Sequence, residues 1–324
     1  MKTASAPGKL MLYGDHAAAY GIPCLVTAVD IRYYATVQAL PQPEVVIQAG
    51  GAPAWSCSRD SFLQGGDIPP HLAFVGASVR RFAARYGLTG GVAITTHGPD
   101  ISFGLGSSSA VTAATFTALA AEFGQMLKPE ELFDTAYAAV LDVQGLGSGF
   151  DVAAALLGGT LLYRQGNPAT LMRISHPPLP LLIGYTGAKV GTVSLVASVK
   201  ELYQAEPRLV SAIFSLIEEI VPRAQSALQQ AAWPELGRLA NLHQGLLESL
   251  GVSTLRLAAP IYAAREAGAF GAKLSGAGGG DCMFAWTGEE MRGAVAAALE
   301  RAGAKVLSLA TAAPGARIEP GHPG

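Results

Sequence analysis

The chain has 324 residues, half of them hydrophobic and 14% charged, with a formal net charge of -2. This composition supports a large buried interior and excludes a disordered chain, and the length suits two domains better than one core. With no run of Lys or Arg, nucleic acid and anionic membranes are poor candidates as partners, so an anionic ligand has to be held by backbone donors and a few placed cations.

Cys24, Cys57 and Cys282 show no CxxC and no Cys/His metal spacing. Reduced thiols and a cytoplasmic location are expected. The first residues carry no apolar signal core, and no stretch stays apolar for the length of a membrane span.

In chain order, Ala6-Pro7-Gly8-Lys9 reads as a turn into a short apolar strand, which Gly14-Asp15-His16 interrupts before Leu25 to Val37 resumes as strand. Lys9 is a point charge suited to phosphate, and Asp15 and His16 are hydrogen-bonding groups suited to a substrate. A surface lysine, a turn-capping Asp and a structural His are the plainer readings of the same residues. Residues 41–66 read as a hairpin or loop. Residues 71–86 read as a helix burying Leu72, Val75, Val79 and Phe82, and Gly91 to Thr96 as strand.

Gly104-Leu105-Gly106-Ser107-Ser108-Ser109-Ala110 then runs straight into an apolar helical segment ending near Phe123. Unpaired N–H groups and the macrodipole make such a helix start a phosphate site, although a serine-capped helix has the same appearance. The three serines add hydroxyls suited to phosphate or a metal ion. A helix from Lys128 to about Leu141 follows. Three glycines then lead through Ser148 to Asp151, which opens a helix of small residues and is either its cap or a base for a substrate hydroxyl.

After a strand at Thr160 to Tyr163 and a linker at 164–170, Leu181 to Gly187 reads as strand, with Thr186 in its terminal turn and Thr192 capping a helix. Long helices are expected near 207–230, 234–250 and 254–267. Lys273-Leu274-Ser275-Gly276-Ala277-Gly278-Gly279-Gly280 joins two β-type segments, and a turn so costly to order suggests a function. Thr287-Gly288-Glu289-Glu290 reads as a capping-box start for a helix to Arg301, and a strand over 304–310 precedes a Pro/Gly-rich tail. The second half therefore suits an α+β layered sandwich. Although Gly104 to Ser109 approximates GxGxxG, no strand ending in an acid follows, which argues against a dinucleotide fold.

Taken in order, Ala6 to Lys9 with Gly14-Asp15-His16 and Tyr20-Gly21-Ile22-Pro23, then Gly104 to Ala110, then Lys273 to Cys282, resemble the motifs of the GHMP kinases. The resemblance covers nearly the whole chain. It implies an α+β, two-domain GHMP kinase architecture: a ribosomal-protein-S5-like N-terminal domain over 1–170 and a ferredoxin-like α/β sandwich over 171–324. It also implies that ATP phosphates are held by Gly104, Leu105, Gly106, Ser107, Ser108, Ser109 and Ala110 and by Gly276, Ala277, Gly278 and Gly279. By the same resemblance Asp151 is the catalytic carboxylate, Lys9 the lysine beside it and His16 a contact to the acceptor; Asp15, Ser148 and Thr186 are the further candidates for the acceptor side.

Within the family, the first motif and the 237–273 segment are similar to archaeal-type mevalonate kinases. The 144–151 and 278–282 segments are closer to phosphomevalonate kinases. Mevalonate or phosphomevalonate is the implied acceptor, and a homodimer is compatible with the sequence. Mg²⁺ is implied near Ser107 or Ser108. Its usual Glu is replaced by apolar residues around Val140, which makes Asp142 or Asp15 the expected substitute ligand. A nucleotide-binding sensor and an ATP-dependent decarboxylase are the alternatives from other classes.

Overall fold

The computed structural model describes residues 1–99, 103–187 and 192–320. Asp100 to Ser102 of the first glycine-rich stretch and the side chain of Thr192, read above as a cap, lie outside the described residues.

The first half folds as β1 (Lys2–Tyr13), β2 (Cys24–Leu40), β3 (Glu44–Ala49), β4 (Trp55–Ser58), α1 (Arg59–Leu63), α2 (Ala73–Tyr86) and β5 (Gly91–His97). It continues with α3 (Ser107–Glu122), α4 (Pro129–Gln144), α5 (Phe150–Leu157), β6 (Thr160–Arg164) and β7 (Thr170–Arg173). The second half adds β8 (Leu181–Tyr185), α6 (Thr192–Ala205), α7 (Pro207–Gln229), α8 (Trp233–Ser249) and α9 (Leu255–Glu266). Then come β9 (Gly271–Leu274), β10 (Cys282–Trp286), α10 (Glu289–Arg301), β11 (Lys305–Leu307) and β12 (Arg317–Ile318).

Two sheets result. In the first the order is β12-β1-β2-β5-β3-β4, with β6 on the other stretch of β2 and β7 beside β6. The 17 residues of β2 are long enough to pair with β5 through Tyr34–Leu40 and with β6 through Cys24–Thr27. The second sheet runs β11-β8-β10-β9, antiparallel throughout. With helices between β8 and β9 and between β10 and β11, this is the split β-α-β topology of ferredoxin-like sandwiches.

The expected turn at Pro7-Gly8 is instead a register shift inside one continuous strand. A proline without a donor and a residue without a Cβ are tolerated at such a bulge. Gly8 is needed there because a Cβ would come within 2.7 Å of the Leu105 carbonyl, the same carbonyl that accepts the Lys9 N–H at 2.7 Å.

Alternating residues of β1 and β2 serve two different cores. Met11, Cys24 and Val26 join the first-domain helices, while Leu10, Leu12, Tyr13 and Leu25 meet Ile183, Phe284, Trp286 and the buried faces of α7 and α8. Burial on both faces explains why these strand segments read as unbroken apolar runs. It also joins the two layers through an extended apolar interface, the kind that holds domains docked.

The expected division at 170/171 falls at the start of β7, which hydrogen-bonds β6 and so extends the first sheet to Arg173. The Pro/Gly-rich tail also differs from expectation. β12 pairs with β1 at Ala4 and Ser5, so the chain returns to the first sheet after completing the second. Two connecting segments, 174–180 and 308–316, therefore link the sheets, and together they line one recess through His176, Pro177, Pro178 and Leu309 to Ala312.

Candidate active site

Both glycine turns are brought to Lys9. The Lys9 Nζ donates to the Gly104 carbonyl at 3.3 Å, and a Cβ on Gly106 would stand 3.0 Å from the Lys9 stem. From the other domain, a Cβ on Gly276 would stand 3.5 Å from the same Nζ. The turns also touch each other directly. A Cβ on Gly104 would strike the Asp281 side chain at 2.4 Å, and the Cys282 thiol donates to the Phe103 carbonyl at 3.1 Å. Burial pushes that thiol up to about 12, which keeps it protonated for the contact.

Gly106, at φ +82°, is the N-cap of α3 and brings no side chain to the cap. The first intrahelical bond runs from Ala110 N–H to the Gly106 carbonyl, so the N–H groups of Ser107, Ser108 and Ser109 precede the ladder. With the dipole of a 16-residue helix behind them, they form a cradle that fits phosphate oxygens. Ala110 is fully buried and contributes backbone only.

The three serine hydroxyls have separate fates. Ser107 shares a hydrogen bond with the Tyr33 hydroxyl, and Ser109 donates to Asp151 Oδ2 at 2.6 Å. Of Ser107 and Ser108, the two expected near a metal ion, Ser108 makes no side-chain hydrogen bond among the described residues. Asp151 lies in the first turn of α5, half-buried, with its Oδ1 accepting the Val152 N–H at 3.0 Å. Its neighbour Phe150 has the Lys9 ammonium over its ring at 5.7 Å from the centroid.

Two tyrosines hold the loop before Asp151. The Tyr137 hydroxyl donates to the Gly147 carbonyl at 2.6 Å, and the Tyr163 hydroxyl donates to the Ser148 carbonyl. Gly149, at φ +88°, passes between them where a Cβ would come within 2.8 Å of the Tyr163 oxygen. Burial, with smaller contributions from Tyr137, Cys24 and Asp151, raises the Tyr163 phenol well above its ordinary value, so it stays a donor.

Several expected site residues have other partners. Ser148 is buried and serves through its carbonyl. The Thr186 N–H donates to the Asp281 carbonyl at 2.9 Å, and its hydroxyl is buried with no hydrogen-bond partner among the described residues. His16 is bonded through Nε2 to the Ala277 carbonyl at 2.9 Å, and burial lowers its imidazole, so it is a neutral Nε2–H donor.

Asp15, expected to face substrate or metal, is fully buried. It accepts from Lys273 Nζ at 2.6 Å and from the Gly276 N–H at 2.6 Å. Burial alone would raise its carboxyl, but Lys273, His243 and those hydrogen bonds outweigh it and hold the group below its usual range. Asp142, also expected at the metal, forms a two-pronged pair with Arg81 on the surface instead. Of the second turn, Gly278 and Gly279 are buried against the Val252 carbonyl, and only Gly276 and Ala277 remain partly accessible.

Sequence reasoning missed Lys273, Tyr137 and Tyr163. A charge inside the apolar strand Gly271–Leu274 was the available signal for Lys273, because a buried ammonium requires a partner. Nothing in the local sequence of either tyrosine distinguishes it from a core aromatic.

The model for the N-terminal domain of GHMP kinases matches residues 73–159, and that for the C-terminal domain matches residues 224–305. A mevalonate kinase from Thermococcus sibiricus is 35% identical over 332 residues, covering 98% of each chain. The chain belongs to the GHMP kinase family. Solved GHMP kinases share its fold. The Methanococcus jannaschii mevalonate kinase superposes with a TM-score of 0.79 at 22% identity, over 95% of this chain and 97% of that one. A Streptococcus pneumoniae phosphomevalonate kinase, solved with phosphomevalonate and AMPPNP, superposes with a TM-score of 0.83 at 20% identity, over 96% and 100%. As a GHMP kinase the chain is a phosphotransferase, and the family uses ATP. No helix among the described residues is long and apolar enough to cross a membrane.

Proposed function

We propose that this GHMP kinase transfers the terminal phosphoryl group of ATP to the 5-hydroxyl of mevalonate, giving 5-phosphomevalonate and ADP. The full-length likeness to the Thermococcus sibiricus enzyme supports that acceptor. The observation that carries the chemistry is the Ser109–Asp151 contact, because it ties a carboxylate to the same helical turn whose leading N–H groups suit phosphate.

In this reading the backbone donors of Ser107 to Ser109, with Lys9, hold the phosphates and draw charge from the transferring group. Asp151 orients the acceptor hydroxyl and takes its proton. The hydroxyl oxygen bonds to phosphorus as the bridging P–O bond breaks, and ADP leaves with the bridging oxygen.

Among the described residues no three His, Cys, Asp or Glu side chains converge as a metal cage. Mg²⁺ needs only one or two protein oxygens when it arrives on substrate phosphates, and Ser108 fits such a set. When bound, the ion supplies neutralisation of phosphate charge.

A coupled ADP-release assay with each acceptor tests the assignment. Turnover with mevalonate is expected. Turnover with phosphomevalonate alone overturns the acceptor, and nucleotide binding with no turnover of either overturns both in favour of another GHMP small-molecule acceptor.

A further inference from the structure

We infer that Asp15 and Lys273 are positioning residues which hold the second glycine turn against Lys9, and that neither touches the acceptor. This rests on the kinase reading above, for which the turn at Gly276 is part of the nucleotide site.

Four of the five residues from Lys273 to Ala277 of the second domain are held across the interface at this point. Lys273 donates to its own strand end at the Leu274 carbonyl, at 2.6 Å, and to Asp15 at 2.6 Å. The Ser275 hydroxyl both donates to the Met11 carbonyl and accepts the Met11 N–H, at 2.9 and 3.0 Å. Gly276 gives its N–H to the second Asp15 oxygen, and Ala277 offers its carbonyl to His16. The first-domain partners in these hydrogen bonds all lie within residues 11–16.

A glycine at φ +89° has no side chain with which to fix itself. A carboxylate beneath it provides a short, charge-assisted acceptor, provided that its charge is balanced. Lys273 provides that balance in a place where both partners are 0% exposed. For stability alone the arrangement has no advantage, since a well-packed apolar pair does as well as a buried ion pair. What an apolar pair cannot do is accept the Gly276 N–H. With both Asp15 oxygens engaged and the side chain fully buried, Asp15 has no face left for substrate, and the Gly276 N–H is turned away from phosphate as well. The pair instead sets how far the turn stands from the Lys9 ammonium.

Two variants test this, each read by ADP binding in titration calorimetry, by the KM for mevalonate and by thermal melting. Asp15→Leu combined with Lys273→Met removes both charges and the acceptor. It is expected to melt within a few degrees of wild type, to bind ADP at least tenfold more weakly, and to keep the mevalonate KM within threefold. Asp15→Asn, which turns an amide toward Lys273, is expected to weaken ADP binding in the same direction and serves if the double variant does not fold. Unchanged ADP affinity in a folded variant overturns the inference, as does a raised mevalonate KM with ADP affinity intact. A wild-type protein that does not bind ADP overturns the kinase reading instead.

Discussion

The Ser109 hydroxyl, in the first turn of α3, donates to Asp151 at the opening of α5, joining two helix N-termini through one 2.6 Å bond. If Asp151 takes the acceptor proton, Asp151→Asn should lower kcat by about 10²–10⁴-fold. Nucleotide affinity should stay within a few-fold, because the proposed phosphate cradle is backbone. Ser109→Ala leaves the carboxylate present but less well held, and a loss nearer tenfold is expected on the scale of a small misplacement. Steady-state kinetics beside ADP titration check both. An Asp151→Asn enzyme with normal kcat removes the carboxylate from the mechanism.

The tyrosine hydroxyls that grip Gly147 and Ser148 aim the same carboxylate from the other side. Tyr163→Phe keeps the ring and loses only the donor. About 1 kcal/mol of stability should go with the hydrogen bond, more if the Ser148 carbonyl finds no water. The kcat should fall by about tenfold with the KM for ATP unchanged within twofold. Denaturant melts and initial rates measured on one preparation separate the two effects.

His243 makes acid sensitivity predictable. Burial, helped by Lys273 and His16 and partly offset by Asp15, pushes its imidazole down to about 3 from 6.5. It stacks on Tyr13 at 6.0 Å between centroids, and its Nε2 stands 3.8 Å from Asp15. Between those pH values the unfolded chain binds a proton that the folded chain does not, so stability present above pH 6.5 drains away as pH falls toward 3. The melting temperature should drop between pH 7 and pH 5, and His243→Leu should shrink that drop. His16 acts in the same direction and supplies part of what remains. Identical slopes in wild type and variant would remove His243 as a cause.

Asp142 offers a negative control. Its bond to Arg81 is an exposed ion pair, a class worth about 0–1 kcal/mol. Asp142→Asn should therefore shift the melting temperature little and leave the Mg²⁺ dependence of the rate within twofold of wild type. A Mg²⁺ titration that moves tenfold would return this carboxylate to the metal.

The glycine positions of the candidate site were legible where the backbone itself dictates residue type. Gly106 and Gly149 sit at positive φ as caps of α3 and α5, and that demand shows in sequence as glycine followed by a helical pattern. The helices were legible for the same local reason, and Leu72, Val75, Val79 and Phe82 are all buried as their spacing implied. Pro7-Gly8 misled because the dipeptide signals a turn in isolation, whereas pairing with β2 on one side and the Leu105 carbonyl on the other absorbs it as a bulge. Asp15 misled for the opposite reason. Its partner lies 258 residues away, and no local pattern distinguishes a carboxylate bound for substrate from one bound for a lysine across a domain interface. Asp142 looked like a stand-in ligand because it was near in sequence, but α4 presents it to Arg81.

The return of β12 to the first sheet bears on how the cleft can open. A body hung on two neighbouring straps swings about the line between them and resists spinning or sliding away. With 174–180 and 308–316 as those straps and an apolar layer packed between the sheets, spinning or sliding of the Gly276 turn away from the start of α3 is opposed by two covalent links where one would leave it free to twist.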